Sequence, residues 1–261
     1  MDFSISDLPR VLRSIERLLR ALDLRASAAG EKNRSDFSKS FPPATAETIE
    51  AAERRLSFRF PASYRTFLLS SNGWKGFPGD WWVFGVSGEA LTRPQKEWQT
   101  QLGLYEKVYK RRGKAFAEDI RGREATDPNV IHPASHVPVA TDFSGSFYVF
   151  DRHRRKGEEY EIVETMGGYQ VEGRLPDFLY VIDFARSNAR NSLQRLGVPA
   201  EDVVRIETGD MDPESVVPAG GEPREARKSV TRKATRPEAR RKTPTSNRRS
   251  TKLPTKTRKG R

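Results

Sequence analysis

Three histidines, thirty-five carboxylates and no cysteine make up the reactive inventory of this chain. His132 and His136 stand four residues apart, a spacing that sets two imidazoles on one helix face for a metal. Pro133 and Pro138 interrupt any helix there, and no His-Glu-x-x-His run exists. The pair therefore reads as solvated loop histidines, with no metal expected. His153 sits in Arg152-His153-Arg154-Arg155-Lys156, which reads as a solvated hairpin tip, with phosphate contact as the alternative. Asp142 and Asp151 flank a strand pair and could form an acid and base couple; carboxylates at strand ends more simply serve turns. No Gly-x-Ser-x-Gly elbow and no Gly-x-x-x-x-Gly-Lys-Ser loop is present, so nothing points to a serine hydrolase or a phosphate-loop enzyme. No catalytic residue and no cofactor is expected.

The aromatic group Trp74, Phe77, Trp81, Trp82 and Phe84 is a candidate binding element instead. Strand alternation sends Trp81 and Trp82 to opposite faces, so one of them leaves the core unless another element covers it. Tryptophan anchors protein interfaces, and Asp80 and Asp142 could supply polar contacts at the rim. Trp74, Phe77, Asp80, Trp81, Trp82 and Asp142 are the candidate partner-binding residues. The competing expectation is burial of one tryptophan in the sheet core and the other under a following helix.

The net charge of +12 is unevenly spread. From Met211 to the end there are sixteen Lys and Arg against five Asp and Glu, whereas the preceding residues hold 31 basic and 30 acidic groups. The basicity belongs to the tail, which has no aromatic residue and is rich in Pro, Ser and Thr. Such a segment buries too little apolar surface to order itself. Arg240, Arg241, Lys242, Arg248, Arg249, Arg258 and Lys259 are its candidate polyanion contacts, giving salt-dependent binding to nucleic acid or an acidic partner. The first ten residues carry two Asp and no apolar run, and no stretch approaches a membrane span. A cytoplasmic protein without membrane contact is expected.

Element patterns place these groups. Leu8, Val11, Leu12, Ile15, Leu18, Leu19 and Leu22 predict an amphipathic helix over 6–24, capped by Ser6 or Asp7. It either docks on the main domain or binds a partner. Residues 29–40 read as a linker. Thr45 caps a helix to about Leu56, Pro61 opens another, and Asn72-Gly73 ends it. Trp81 to Val86 is a strand candidate and Pro94 to Lys110 a helix. Arg111 to Asn129 shows no clear pattern. Strands are expected at Val137–Ala140, Ser146–Asp151 and Tyr160–Thr165, with a tight hairpin at Gly167-Gly168. Leu175 to Arg186 is a helix, and residues to about Glu207 add a short helix and a strand. The expected organisation is an N-terminal helix over 1–28, a linker, an α+β domain over 41–207 with an antiparallel sheet, and a disordered basic tail over 208–261.

One stretch carries a family resemblance. Pro42-Pro43-Ala44-Thr45-Ala46-Glu47-Thr48-Ile49-Glu50, then Glu53-Arg54-Arg55-Leu56-Ser57-Phe58-Arg59-Phe60-Pro61-Ala62-Ser63-Tyr64-Arg65-Thr66-Phe67-Leu68, then Ser71-Asn72-Gly73 resembles the entry motif of the SUKH superfamily. That group contains the yeast cell-wall assembly regulator and many bacterial immunity proteins. Its members typically show an acidic helix, Glu-x-x-Leu-Gly, Leu-Pro-x-x-Tyr-x-x-Phe-Leu and Asn-Gly-Gly. Here Ser57 stands for Gly, Phe60 for Leu, and Trp74 for the second Gly. Val137-Pro138-Val139-Ala140, Ser144-Gly145-Ser146-Phe147-Tyr148 and Leu175-Pro176-Asp177-Phe178-Leu179 look like the family's later strands and closing helix. The resemblance spans roughly Phe41 to Arg186. It implies a SUKH-like antiparallel sheet flanked by helices and a protein-binding domain without catalysis. The expected function is an immunity-type protein that binds and neutralises a cognate toxin, such as a nuclease or deaminase. The alternative is a scaffold or nucleic-acid accessory protein that uses the basic tail.

Overall fold

The leucine stripe near the N-terminus closes into α1 (Leu8–Ala28), whose Leu8, Ile15 and Leu18 are fully buried. The helix is entered through a short 3-10 turn, Ile5–Asp7, in which the Asp7 carboxylate accepts the Ser4 N–H at 3.0 Å. The start signal is thus Ser4 with Asp7, two residues before the Ser6 expected. The computed structural model describes residues 3–28, 38–77, 81–124, 126–132, 135–166 and 170–217. The remainder, including the tail candidates Arg240, Arg241, Lys242, Arg248, Arg249, Arg258 and Lys259, lies outside the described residues.

After α1 come β1 (Lys39–Ser40), α2 (Ala46–Leu56), α3 (Ala62–Ser70), β2 (Trp74–Lys75) and β3 (Trp82–Val83). Then follow α4 (Gly88–Arg112), α5 (Lys114–Glu124), β4 (Val137–Thr141), β5 (Phe147–Lys156), β6 (Glu159–Met166) and β7 (Gln170–Leu175). Two helices close the fold, α6 (Phe178–Arg195) and α7 (Ala200–Thr208). The seven strands form one antiparallel sheet in sequence order. Lys39 and Ser40, expected in a linker, pair with Lys75 and Trp74 and begin the sheet.

Local chemistry explains the helix ends. Thr45 caps α2 by accepting the Thr48 N–H at 3.3 Å. Ser57 ends α2 in the left-handed region, at φ 47°. A glycine takes that conformation without the strain a Cβ brings. Helix α4 begins at Gly88, six residues before the expected Pro94. Proline inside a helix strips the carbonyl four residues back of its donor. Here that carbonyl, on Ala90, accepts the Gly85 N–H at 3.0 Å instead. The segment after it holds α5, which the sequence pattern did not show. Residues 200–208 form a helix, and no strand follows among the described residues.

The sheet is covered on both faces. Phe150 and Ile162 face Phe67, Phe178 and the stripe of α1, while Phe147, Val149 and Val163 pack beneath Trp98 of α4. Double cover explains why β5 is buried over five consecutive residues rather than alternating. Helix α1 docks on α6, α7 and a 3-10 turn at Pro213–Val216. Arg25 donates to the carbonyls of Leu196 at 3.2 Å and Val216 at 2.9 Å. Met211 and Val216 pack on the core, so the ordered fold runs past the expected onset of the tail.

Tyr64 of α3 is fully buried and donates its hydroxyl to the Phe84 carbonyl at 2.7 Å. Tyr64→Phe strands that buried acceptor. It is expected to cost about 1–2 kcal/mol, read as a lower urea midpoint with an unchanged slope. An unchanged midpoint would show that the bond contributes nothing.

Candidate functional site

The structure divides the aromatic group. Trp74 and Phe77 are core residues, each at most 2% exposed, and the Trp74 indole donates to Ser38 Oγ at 3.1 Å. Trp82 is also buried, but on the opposite sheet face. Phe41 stacks on it at 5.9 Å, Phe143 meets it edge-on at 5.4 Å, and the Arg93 guanidinium of α4 lies 5.3 Å from its ring. These three residues are therefore packing groups, not surface anchors. The covering element for Trp82 is a cation over the ring, which apolar periodicity does not reveal. Asp80 lies outside the described residues.

Trp81 behaves differently. It is partly exposed and stacks on Tyr148 at 4.2 Å, with the ring planes 8° apart. Tyr148 pairs in register with Glu164 of β6, and Glu164 pairs with Gly173 of β7 beside Glu172. Asp142 sits at the turn after β4. Its carboxylate accepts the Ser144 N–H at 2.8 Å, the Ser146 N–H at 3.1 Å and the Ser144 hydroxyl at 2.6 Å. Burial raises the Asp142 carboxyl, but these hydrogen bonds outweigh it and the group is held below its ordinary range. Glu164 is shifted the other way, first by burial and then by repulsion from Glu172 and Asp142. Burial, with Glu164 and Asp142 behind it, also drives the Tyr148 phenol far up. No ion pair links Asp142, Glu164 or Glu172 to a cation among the described residues. The result is an acidic patch set on a Trp81–Tyr148 platform. Of the sequence candidates it contains Trp81 and Asp142. Glu164 and Glu172 were missed; the register of β6 on β7 brings them together.

Asp151 is no partner for Asp142. It is buried, binds Arg174 at 2.8 Å and accepts the His153 N–H at 3.0 Å. The expectation of solvated histidines is corrected for His132 and His136, which are 5% and 4% exposed. His132 stacks on Tyr109 at 5.2 Å. His136 places Nδ1 3.1 Å from Glu124 and Nε2 3.8 Å from Asp151. His153 keeps partial exposure and stands 3.5 Å from Glu124. The run Arg152–Lys156, expected at a hairpin tip, is instead the outer half of β5, which pairs with β6 up to Lys156 and Glu159. It is tethered there, with the Arg152 guanidinium over Phe58 at 5.3 Å and bonded to the Leu56 carbonyl at 2.9 Å. No three His, Asp or Glu groups are arranged to hold a metal among the described residues. No helix among them is long and apolar enough to cross a membrane.

Sheet, flanking helices and acidic platform define an α+β domain whose exposed chemistry suits recognition. Residues 43–183, which hold β2 to β7 and the acidic platform, match the SMI1 / KNR4 family (SUKH-1). The match covers more than half of the chain, and the chain belongs to that family. The family is known in immunity proteins and cell-wall regulators, is generally non-catalytic, and its domains generally bind partner proteins. No curated protein matches the chain.

Proposed function

We propose that this protein is an immunity-type binding module that captures and neutralises a cognate toxin, and that the patch formed by Trp81, Tyr148, Asp142, Glu164 and Glu172 is its docking surface. The observation that carries the reading is the carboxylate trio with no cationic partner among the described residues, beside an aromatic stack. Repulsion from Glu172 and Asp142 adds to burial in raising the energy of a charged Glu164 until a cation arrives. A basic partner, as a nuclease is, relieves that repulsion and is steered toward the patch. Trp81 then contributes a flat, rigid contact at low entropic cost.

The test is capture from host lysate with the full chain, nuclease-treated and at moderate salt, followed by identification of the bound protein and measurement of its affinity. Asp142→Lys with Glu164→Lys is expected to weaken one stoichiometric basic partner about a hundredfold, near 3 kcal/mol. Capture that survives this reversal but vanishes with nuclease, or with removal of residues 218–261, would replace the reading with polyanion association through the tail.

A further inference from the structure

Beyond the family-matched residues the chain adds α1, α7 and the outer half of α6, and these enclose a half-open pocket of about 360 Å³. Every residue lining it lies outside 43–183. Its polar lining is dominated by guanidinium groups. Glu207 of α7 is 3% exposed and accepts from Arg186 Nε and from Arg190, both on α6. Arg17 of α1 donates Nε to the Ile206 carbonyl at 3.0 Å and also bonds the Glu207 carbonyl, so it caps the last turn of α7. Arg10 completes the rim, mostly exposed and paired with Asp7 at 3.2 Å.

Pinning α7 to its neighbours requires one arginine–carboxylate pair. Apart from Arg10, which pairs with Asp7, the pocket holds three guanidinium groups, Arg17, Arg186 and Arg190, against the carboxylate of Glu207. Two positive charges remain in surplus inside a concave, low-dielectric wall, where fields are focused. Arg186 uses Nε for Glu207 and leaves its Nη edge without a partner among the described residues. That planar edge suits two oxygens of one anion. Besides the hydroxyls of Ser14 and Thr208, the remaining wall is apolar, from Phe3, Val11 and Val204, and Val204 is 53% exposed at the lip.

We propose that this pocket binds a small oxyanion, a phosphate or a carboxylate, carried on an apolar body. The surplus charge holds the oxyanion, and the Phe3–Val204 wall holds the body. The site is independent of the acidic patch, which lies within the family-matched segment.

Calorimetric titration of the full chain with phenyl phosphate, benzoate and inorganic phosphate tests it. One of the two aromatic anions is expected to bind one-to-one and more tightly than inorganic phosphate. The tighter of the two identifies the source as phosphate or carboxylate. Arg186→Gln is expected to weaken that probe roughly tenfold or more, and Arg186→Lys, which keeps charge but loses the fork, by less. If Arg186→Gln fails to fold because Glu207 loses a partner, Arg10→Gln, at an exposed position, carries the test with a several-fold loss. Asp142→Lys with Glu164→Lys should leave probe binding unchanged, so failure of the docking proposal is read separately. Absence of binding by all three probes overturns the proposal. So does equal affinity in wild type, Arg186→Gln and Arg10→Gln, which would place the anion elsewhere on the basic chain.

Discussion

Gly85→Ala is expected to lower the melting temperature by roughly 10 °C. Gly85 lies where three backbone segments meet. An added Cβ would stand 2.6 Å from the Ala90 Cβ and from Asn72 Oδ1, and directly against the Asn72 carbonyl oxygen. None of these can retreat freely. Asn72 Oδ1 accepts the Val86 N–H at 2.7 Å, and its amide donates to Ser87 Oγ at 2.9 Å. Ala90 is held by the Gly85 N–H, which fills the gap left by Pro94. Displacing Gly85 therefore strains the backbone and strands a helix carbonyl together, about 4 kcal/mol in all. Thermal unfolding followed by circular dichroism reads it. A shift of only a degree or two would mean that the segments around Asn72 and Ala90 yield easily and are not the rigid junction described.

Glu124→Ala should be nearly as costly. Glu124 is the last residue of α5 and is 6% exposed, yet it is the anchor of that helix. It accepts the His132 N–H at 2.7 Å and the Ser135 hydroxyl at 2.8 Å, and faces His136 at 3.1 Å. Burial pushes its carboxyl up, but the bonds from His136, His132 and Ser135 together win and hold it at about 2. Removing it leaves buried donors without an acceptor, a loss of about 3–5 kcal/mol. Glu124→Gln keeps the shape and part of the bonding and should lose less. The sign of the pH effect follows from the depressed value. The folded state binds this proton less readily than the unfolded chain, so the contribution is complete above about 4.5 and fades as pH falls toward 2. Its size in the wild type is about 3 kcal/mol. His132 acts in the same direction, since burial and Arg121 lower its affinity for a proton, and stability declines below about 6.5 as the unfolded histidine charges. Denaturation midpoints from pH 7 to 3 should fall steeply in the wild type and more gently in Glu124→Gln. Parallel curves would show that Glu124 does not carry the acid sensitivity.

These two residues also show what the sequence made legible. Helices with an apolar stripe, α1, α2 and α3, were read nearly to their ends, because periodicity records the face turned to a core. Helix α6 was recognised by the same stripe, but it starts at Phe178, after Leu175 has closed β7, and runs nine residues past the expected Arg186. The β4–β5 hairpin was legible from its two apolar runs with Ser144-Gly145 between them; the expected Gly167-Gly168 turn lies outside the described residues. Helix α5 was not, because its deepest anchor is a carboxylate whose partners follow eight to twelve residues later in a loop. His132 and His136 looked solvated because nothing local announces Tyr109 or Glu124 as their cover. Trp82 was hidden by Arg93, a residue normally counted as surface. The acidic patch was half read: Trp81 and Asp142 were singled out on type and position, whereas Glu164 and Glu172 matter through a cross-strand register that single residues do not display. Gly85 drew no notice at all, since its role is to leave space for other segments.

The packing of α1 against α6, α7 and the Pro213–Val216 turn has a consequence for the order in which the chain matures. Each strand pairs with the strand made just before it, so the sheet can zip up as it emerges; β4 to β7 close through short turns, whereas β1–β2 and β3–β4 each close around a pair of helices. The first helix has no such neighbour. Its leucine stripe leaves the ribosome early, and much of its cover is synthesised last. Throughout synthesis that stripe is an adhesive surface on an otherwise assembling domain, open to chaperones and to other nascent copies. Completion of the C-terminal helices is therefore the event that withdraws it, and a chain stopped short of α6 would be sticky even with most of its sheet in place.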